Sequence, residues 1–177
     1  MYEPKKGDIV CLDTCIVIWG IKKEEDENNI QRAQYLLSKL STVGARVIVP
    51  AIALGETLSG CEDSKRPDFL RRVQEKVIIA PYDAVAAYHY AEMWRKRESV
   101  IRGVQANDSS IEFTRNKLKA DFMIVATAKA QNAACIYTSE GELNVFRGFA
   151  KHTHPAIPVE PMPPTPPVQP NLLEMLP

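Results

Sequence analysis

Five acidic side chains lie within or beside segments of the sequence that are otherwise apolar. They are Asp13, Glu56, Asp121, Glu140 and Glu142. Asp13 directly follows the apolar run 9–12, and Asp121 directly precedes the apolar run 122–128. An ionised carboxylate is rarely buried unless a cation or several hydrogen-bond donors accompany it. These positions therefore make the five acids candidates for a chemical role.

Carboxylates that lie close together repel one another, so a shared site is costly unless a cation neutralises it. Ligation by oxygen atoms alone selects hard divalent ions, and we expect Mg²⁺ or Mn²⁺. Such an ion lowers the pKa of a bound water and holds a phosphodiester for in-line attack. The acids therefore predict metal-dependent hydrolysis of a phosphodiester, a reaction that requires no nucleophile from the protein.

The elements that position these acids alternate along the chain. Short apolar runs predict buried strands, and longer segments with apolar residues at helical spacing predict helices between them. The expected strands are 9–12, 46–49, 77–79 and 134–138, and the expected helices include 29–40, 51–58, 67–76, 83–97, 123–128 and 143–150. This alternation indicates an α/β fold with helices on both faces of a parallel sheet. The C-terminal ends of parallel strands share one edge, where the acids can converge.

Three of the acids also have an interpretation without chemistry. Asp13 can cap the helix that follows it. Asp121, placed in the first turn of its expected helix, can complement the helix dipole. Glu56 can lie on an exposed helical stripe, although its apolar neighbours leave little room for one. Both interpretations stay open for each residue taken alone.

The composition indicates one domain and no global attraction to nucleic acid. The chain has 177 residues, of which 22 are basic and 22 acidic, so its net charge is zero. Its four cysteines contain no C-x-x-C pair, which favours reduced thiols over a disulfide or zinc site. No apolar run approaches the length of a membrane span, and no leader pattern is evident. We therefore expect a cytoplasmic protein that does not contact membranes.

Positive charge is concentrated around residues 99–116, a segment that we expect to be irregular. Basic side chains outnumber acidic ones in and around it. Arg115, Lys117 and Lys119 belong to this group and precede Asp121 closely in sequence. They are predicted to contact the phosphate groups of a nucleic acid. A solvated surface without a ligand is the alternative.

Residues 155–177 differ in composition from the rest of the chain. Nine of the thirteen prolines lie there, so we expect an extended tail outside the sheet and a folded domain over residues 1–154. The tail ends in an apolar group formed by Leu172, Leu173, Met175 and Leu176. We expect this group to anchor the tail on its own domain or on a second subunit. A tail without a partner is the alternative.

Four segments, in this order, resemble the motifs of the PIN-domain ribonucleases, a family that includes the toxins of many toxin–antitoxin modules. They are VCLDT at 10–14, VPAIALGE at 49–56, KADFMIVATA at 119–128 and YTSE at 137–140. Each motif alone is weak, but their order and spacing agree with the family over residues 8–150. The resemblance implies a three-layer α/β/α fold with a central parallel sheet. It also implies a Mg²⁺- or Mn²⁺-dependent endoribonuclease that acts on RNA, with an antitoxin protein and a second copy of the chain as partners.

The resemblance also gives the acids individual roles. It implies that Asp13, Glu56 and Asp121 bind the metal and that Glu140 is the fourth acid, where the family often has Asp. Glu142 falls where many members carry a second acid. The two hydroxyl residues beside these acids, Thr14 and Ser139, are assigned supporting roles. Arg115, Lys117 and Lys119 are then expected to contact the RNA backbone.

Two other functions remain as alternatives. A protein of this fold can bind RNA or a protein partner with little catalysis, and metal-dependent cleavage of RNA would distinguish the two. A small-molecule phosphohydrolase on a similar sheet usually carries a glycine-rich phosphate loop, which this sequence lacks.

Overall fold

A parallel five-stranded sheet forms the centre of the protein in a computed structural model, which describes residues 2–24, 26–106 and 114–164. The strands are β1 (Ile9–Leu12), β2 (Arg46–Pro50), β3 (Ile78–Ala80), β4 (Cys135–Thr138) and β5 (Val159–Pro161). Their order across the sheet is β3-β2-β1-β4-β5. Helices flank the sheet, so the predicted three-layer α/β/α architecture is confirmed.

The helices lie in the connections between the strands, because parallel strands need crossover connections. They are α1 (Thr14–Val17), α2 (Glu27–Val43), α3 (Ala51–Ser59), α4 (Arg66–Lys76), α5 (Ala84–Trp94), α6 (Arg97–Gln105), α7 (Arg115–Ala130) and α8 (Leu143–Ala150). A π-helical turn over Ile18–Lys22 extends α1, and a 3₁₀ turn over Asp63–Lys65 precedes α4. Within the described ranges, no helix combines the length and the apolar character needed to cross a bilayer.

The strand β1 occupies the middle of the sheet because its side chains are apolar on both faces. Val10, Cys11 and Leu12 are fully buried, and β1 pairs with β2 on one side and β4 on the other. The chain runs from β1 to β2 and β3 on one side, then crosses back to β4 on the other side. The carboxyl ends of β1 and β4 therefore border the crevice where α/β sheets bind ligands.

The described residues of the segment 99–116 are more regular than its composition suggested. Residues 99–105 belong to α6, and Arg115 and Asn116 begin α7. Val100 and Val104 are one helical turn apart and buried, and a side chain added at Gly148 of α8 would lie 3.0 Å from Val104 and 3.2 Å from Val100. Close packing of α6 on α8 thus stabilises a helix that local composition does not indicate. Residues 107–113 lie outside the described residues.

The expectation that the tail stays outside the sheet is wrong for residues 159–161. These residues form β5 and extend the sheet beyond β4. The amide of Ile136 donates to the carbonyl of Pro158 at 2.9 Å, and Arg147 Nε donates to the carbonyl of Val159 at 3.1 Å. Proline is tolerated here because β5 is an edge strand. The predicted anchor of Leu172, Leu173, Met175 and Leu176 lies outside the described residues.

Candidate active site

Asp13 lies at the end of β1 and is held by three hydrogen-bond donors. Its side chain is 5% exposed, and it accepts from the Thr14 amide at 2.6 Å and from Thr138 Oγ1 at 2.7 Å. Cys15 Sγ donates to the same carboxylate at 3.3 Å. Burial raises the pKa of Asp13 to about 6, although these donors oppose the shift and the charge of Glu142 adds to it. Asp13 thus caps α1 and also interacts with a second acid.

Asp121 lies well inside α7, not in the first turn where it was expected. The helix begins at Arg115, so interaction with the helix dipole does not explain this residue. Its side chain is 8% exposed, and its Oδ2 atom has no hydrogen-bond partner among the described residues. Burial and the charges of Asp13 and Glu142 together raise the pKa of Asp121 to about 8, although the nearby Lys117 opposes the shift.

Glu140 and Glu142 follow β4 but have different surroundings. Glu140 forms an ion pair with Arg32 of α2. Burial raises the pKa of Glu140, but the contact with Arg32 lowers it, and the overall shift is downwards. The charge of Glu142 raises the pKa of both Asp13 and Asp121. Its Oε2 atom is buried without a hydrogen-bond partner within the described ranges. The structure therefore places Glu142 beside the other acids and directs Glu140 towards α2.

Arg32 fixes the position of the loop after β4. Besides Glu140, it donates to the carbonyl of Pro163 at 2.8 Å and to the carbonyl of Met162 at 3.0 Å. The loop itself is closed by Ser139, whose Oγ accepts from the Glu142 amide at 3.3 Å. Ser139 and Arg32 thus determine which way the two glutamates of this loop point.

Glu56 approaches the site from α3 through the first residue of α1. Thr14 Oγ1 donates to Glu56 Oε2 at 2.6 Å, while the Thr14 amide donates to Asp13. Glu56 is exposed, which corrects the expectation that its apolar neighbours leave little room for a solvated face. Its charge also raises the pKa of Asp121. Thr14 therefore bridges two of the acids that the sequence singled out.

The three cations at the start of α7 have different environments. Lys117 Nζ donates to Glu142 Oε1 at 2.7 Å, and the charges of Glu142, Asp121 and Asp13 favour its ionised form. Lys117 lies one helical turn before Asp121, so both face the same side of α7. Arg115 is exposed and Lys119 is half-buried. Of the three, Lys117 is the one that contacts an acid of the site.

Three contributors to the site were missed from the sequence. They are Cys15, Arg32 and Thr138. Thr138 could have been found, because a hydroxyl at the end of a buried strand needs a hydrogen-bond partner. Cys15 had only its proximity to Asp13 as a signal. Arg32 lies in a helix more than a hundred residues from Glu140, and nothing local marks it.

The acids of the site are partly buried, and the cations and hydrogen-bond donors around them do not reach all of their oxygens. Among residues 2–24, 26–106 and 114–164, no three acid, cysteine or histidine side chains are arranged to enclose a metal ion. Glu56 and Glu142 instead each hold a donor, Thr14 and Lys117 respectively. The unpartnered oxygens of Asp121 and Glu142 are nevertheless what a hard cation would bind, so the donor set suits a hard divalent cation.

Comparison with known proteins identifies the family of the chain. The family model described as PIN domain matches residues 10–148, which include every acid discussed above. No curated protein sequence matches the chain significantly. Among solved structures, the fold is similar to a chain of VapBC2 from Rickettsia felis, in a complex bound to a DNA fragment from its promoter. That match has 18% identity and a TM-score of 0.60, and it covers 88% of this chain and 99% of the other.

A second solved structure gives a similar result. DNA-bound VapBC from Salmonella typhimurium matches with 20% identity and a TM-score of 0.50, covering 89% of this chain and 98% of that one. At these identities the structural likeness supports the fold alone. The family model, in contrast, spans most of the chain. The chain belongs to the PIN domain family.

Proposed function

We propose that the protein is a Mg²⁺- or Mn²⁺-dependent endoribonuclease that hydrolyses RNA phosphodiester bonds. The observation that carries the proposal is the pair of buried, unpartnered carboxylate oxygens on Asp121 and Glu142, beside the buried Asp13. Clustered carboxylates of this kind are costly without a cation. Membership of a family whose proteins are typically nucleases supports the same activity.

In this proposal Asp13, Glu56 and Asp121 hold the metal, and Glu142 takes the place of Glu140 as the fourth acid. A bound divalent ion would supply an activated water and stabilise the charge that develops on the phosphate. Thr138 and the Thr14 amide hold the Asp13 carboxylate in place by hydrogen bonds. The Thr14 hydroxyl holds Glu56.

Glu140 has a positioning role in this proposal. Its ion pair with Arg32 connects the loop after β4 to α2, and Arg32 also binds the carbonyls of Met162 and Pro163. This connection keeps Glu142 on the side of Asp121. Arg115, Lys117 and Lys119 would contact the RNA backbone along the first turns of α7.

The partners follow from the same family. The two similar structures are complexes named VapBC2 and VapBC, and each is bound to DNA. The PIN-domain ribonucleases that the sequence resembles include the toxins of toxin–antitoxin modules. We therefore include in the proposal an antitoxin protein that covers the cleft, a homodimer, and action as a toxin in the cytoplasm. Coexpression with the protein encoded beside it, followed by copurification, tests the antitoxin directly.

Cleavage of a mixed RNA pool tests the activity. We expect cleavage with Mg²⁺ or Mn²⁺, none with EDTA, and loss of activity in Asp13→Asn and Asp121→Asn. Glu142→Gln should reduce activity far more than Glu140→Gln, which is its matched control two residues away. Equal losses in the two glutamine variants would contradict the assignment of the fourth acid. RNA binding without cleavage under every metal condition would favour the alternative of an RNA-binding module.

A further inference from the structure

A stack of two aromatic rings and a guanidinium lies at the junction of α5 and α6. The Tyr90 and Trp94 rings are stacked, with centroids 5.5 Å apart and planes inclined by 12°. The guanidinium carbon of Arg97 lies 5.2 Å from the centroid of the Trp94 ring. Arg97 also donates to the Trp94 carbonyl at 3.2 Å. These contacts hold the planar guanidinium in place against the indole.

A surface cavity of about 280 Å³ opens beside this stack. It is lined by Trp94, Arg97, Ile101, Arg115 and Leu118. Its described lining therefore contains two cations, one aromatic ring and two aliphatic side chains, with no acid among them. A ligand that suits this lining combines a flat ring with negative charge, as a nucleotide does.

The cavity is connected to the acidic site through α7. Arg115 and Leu118 precede Asp121 by six and three residues, which places them about 9 Å and 4.5 Å away along the helix axis. The Trp94 ring also packs edge-on against Phe122, the neighbour of Asp121, with centroids 5.6 Å apart. Stacked bases in a strand rise by about 3.4 Å each. An RNA strand whose phosphate lies at the acids would therefore bring a base to this cavity within a few nucleotides.

We propose that this cavity is a subsite for an unpaired RNA base. The base stacks on the Arg97 guanidinium, which itself lies over Trp94, and Arg115 contacts an adjacent phosphate. This inference rests on the proposed ribonuclease function. Stacking on a guanidinium plane accepts every base, because each base has a π-face. The subsite therefore selects unpaired over paired RNA, without reading the sequence.

Binding of two labelled oligomers tests the subsite. One is a single-stranded RNA and the other is the same strand without its bases, and both are measured with Mg²⁺ in the Asp13→Asn background. Arg97→Lys keeps the charge but removes the plane, and Arg95→Lys is the matched control on the exposed surface nearby. Trp94→Leu removes the aromatic support. Wild-type protein is first assayed for cleavage of the intact oligomer.

We expect Arg97→Lys and Trp94→Leu to weaken binding of the intact RNA by about 5- to 100-fold, as the loss of one stacked base does. Binding of the baseless strand should be the same in all variants, and Arg95→Lys should match the background protein. If both oligomers lose affinity equally, or if Arg97→Lys has no effect, the subsite is refuted while the nuclease function stands. If wild-type protein neither binds nor cleaves the RNA, the proposed function itself fails, and the subsite with it.

Discussion

The ammonium group of Lys117 lies 2.7 Å from Oε1 of Glu142 and thereby joins α7 to the loop after β4. The other oxygen of Glu142 is buried and has no partner in the part of the chain that the structure describes. The negative charges of Asp13 and Asp121 also favour the ionised form of Lys117. Lys117 is therefore the cation that offsets part of the repulsion between these acids.

Lys117→Met should destabilise the metal-free protein and tighten its binding of Mn²⁺. Without the ammonium the carboxylates repel one another more strongly, and the metal no longer competes with a neighbouring positive charge. Because Lys117 is partly solvated, the loss of stability should be on the order of 1 kcal/mol or less. Thermal unfolding in EDTA and titration calorimetry with Mn²⁺ measure the two effects. Lys119→Met removes the same charge from the same helix, and equal behaviour of the two variants would argue against a specific role for Lys117.

Asp121→Asn should remove a pH dependence from the stability of the metal-free protein. The pKa of Asp121 is about 8 in the fold and close to its ordinary value of 3.8 in the unfolded chain, so the folded state binds this proton more tightly. Wild-type stability should therefore fall as the pH rises from about 4 to about 8, at up to about 1.4 kcal/mol for each unit of pKa difference. The Asn variant should be more stable than wild type at pH 9 and similar to it at pH 4.

Urea unfolding in EDTA across this pH range measures the difference. Asp63→Asn is a suitable control, because Asp63 is an exposed acid far from the cluster in sequence. The control should keep the wild-type slope. An Asp121→Asn slope equal to that of wild type would mean that Asp121 does not hold its proton in the fold.

Thr138→Val should raise the pKa of Asp13 and thereby lower both the stability of the protein and its affinity for Mn²⁺. The Thr138 hydroxyl is fully buried and donates to Asp13 Oδ2 at 2.7 Å, which lowers the pKa of that carboxyl. Without it we expect the pKa of Asp13 to rise above about 6, and stability above that pH to fall by roughly 1–3 kcal/mol. Affinity for Mn²⁺ should fall as well. The pKa can be followed by ¹³C NMR of the Asp13 carboxyl.

Thr127→Val provides the matched control for this variant. Thr127 is as buried as Thr138, but its hydroxyl donates to the carbonyl of Met123 inside α7. Its loss should leave the titration of Asp13 and the binding of Mn²⁺ unchanged. If both variants lower metal affinity alike, the effect of Thr138 is a general loss of packing.

Metal binding should release protons near neutral pH. Mg²⁺ or Mn²⁺ must displace the proton held by Asp121, whose pKa is raised to about 8 by burial and by neighbouring acids. The apparent affinity should therefore increase from pH 6 to about pH 8 and then level off. Calorimetry in two buffers with different ionisation enthalpies counts the released protons. Equal heats in both buffers at pH 7 would contradict a metal site that includes Asp121.

The central sheet was predictable because its strands are buried on both faces. The sequences of β1 and β4 are mostly apolar, as is typical of strands buried on both faces. The acids that follow them lie at the edge of the sheet where α/β proteins bind ligands. β5 could not be predicted in this way. It has three residues, it lies among prolines, and it exists because β4 offers it an edge to pair with.

The choice between Glu140 and Glu142 also depended on distant residues. Two acids in one loop have equal claims from sequence, since neither periodicity nor spacing fixes where a loop side chain points. Arg32 of α2 binds Glu140, and Lys117 of α7 binds Glu142. Both cations come from helices that are brought to the loop by packing. The residues of a site can thus be named from sequence, whereas their individual partners depend on the tertiary structure.

Pro158 directly precedes β5, and Pro161 is the last residue of this strand. The carbonyl of Pro158 faces β4, whereas Pro161 lies at an outward-facing position and has no amide hydrogen, so β5 has one donor fewer for any further strand. Within residues 2–24, 26–106 and 114–164, β5 is the last strand on its side, and an edge of this kind is where sheets of separate molecules join. The composition that made the tail look unlike a strand therefore protects the sheet against edge-to-edge aggregation.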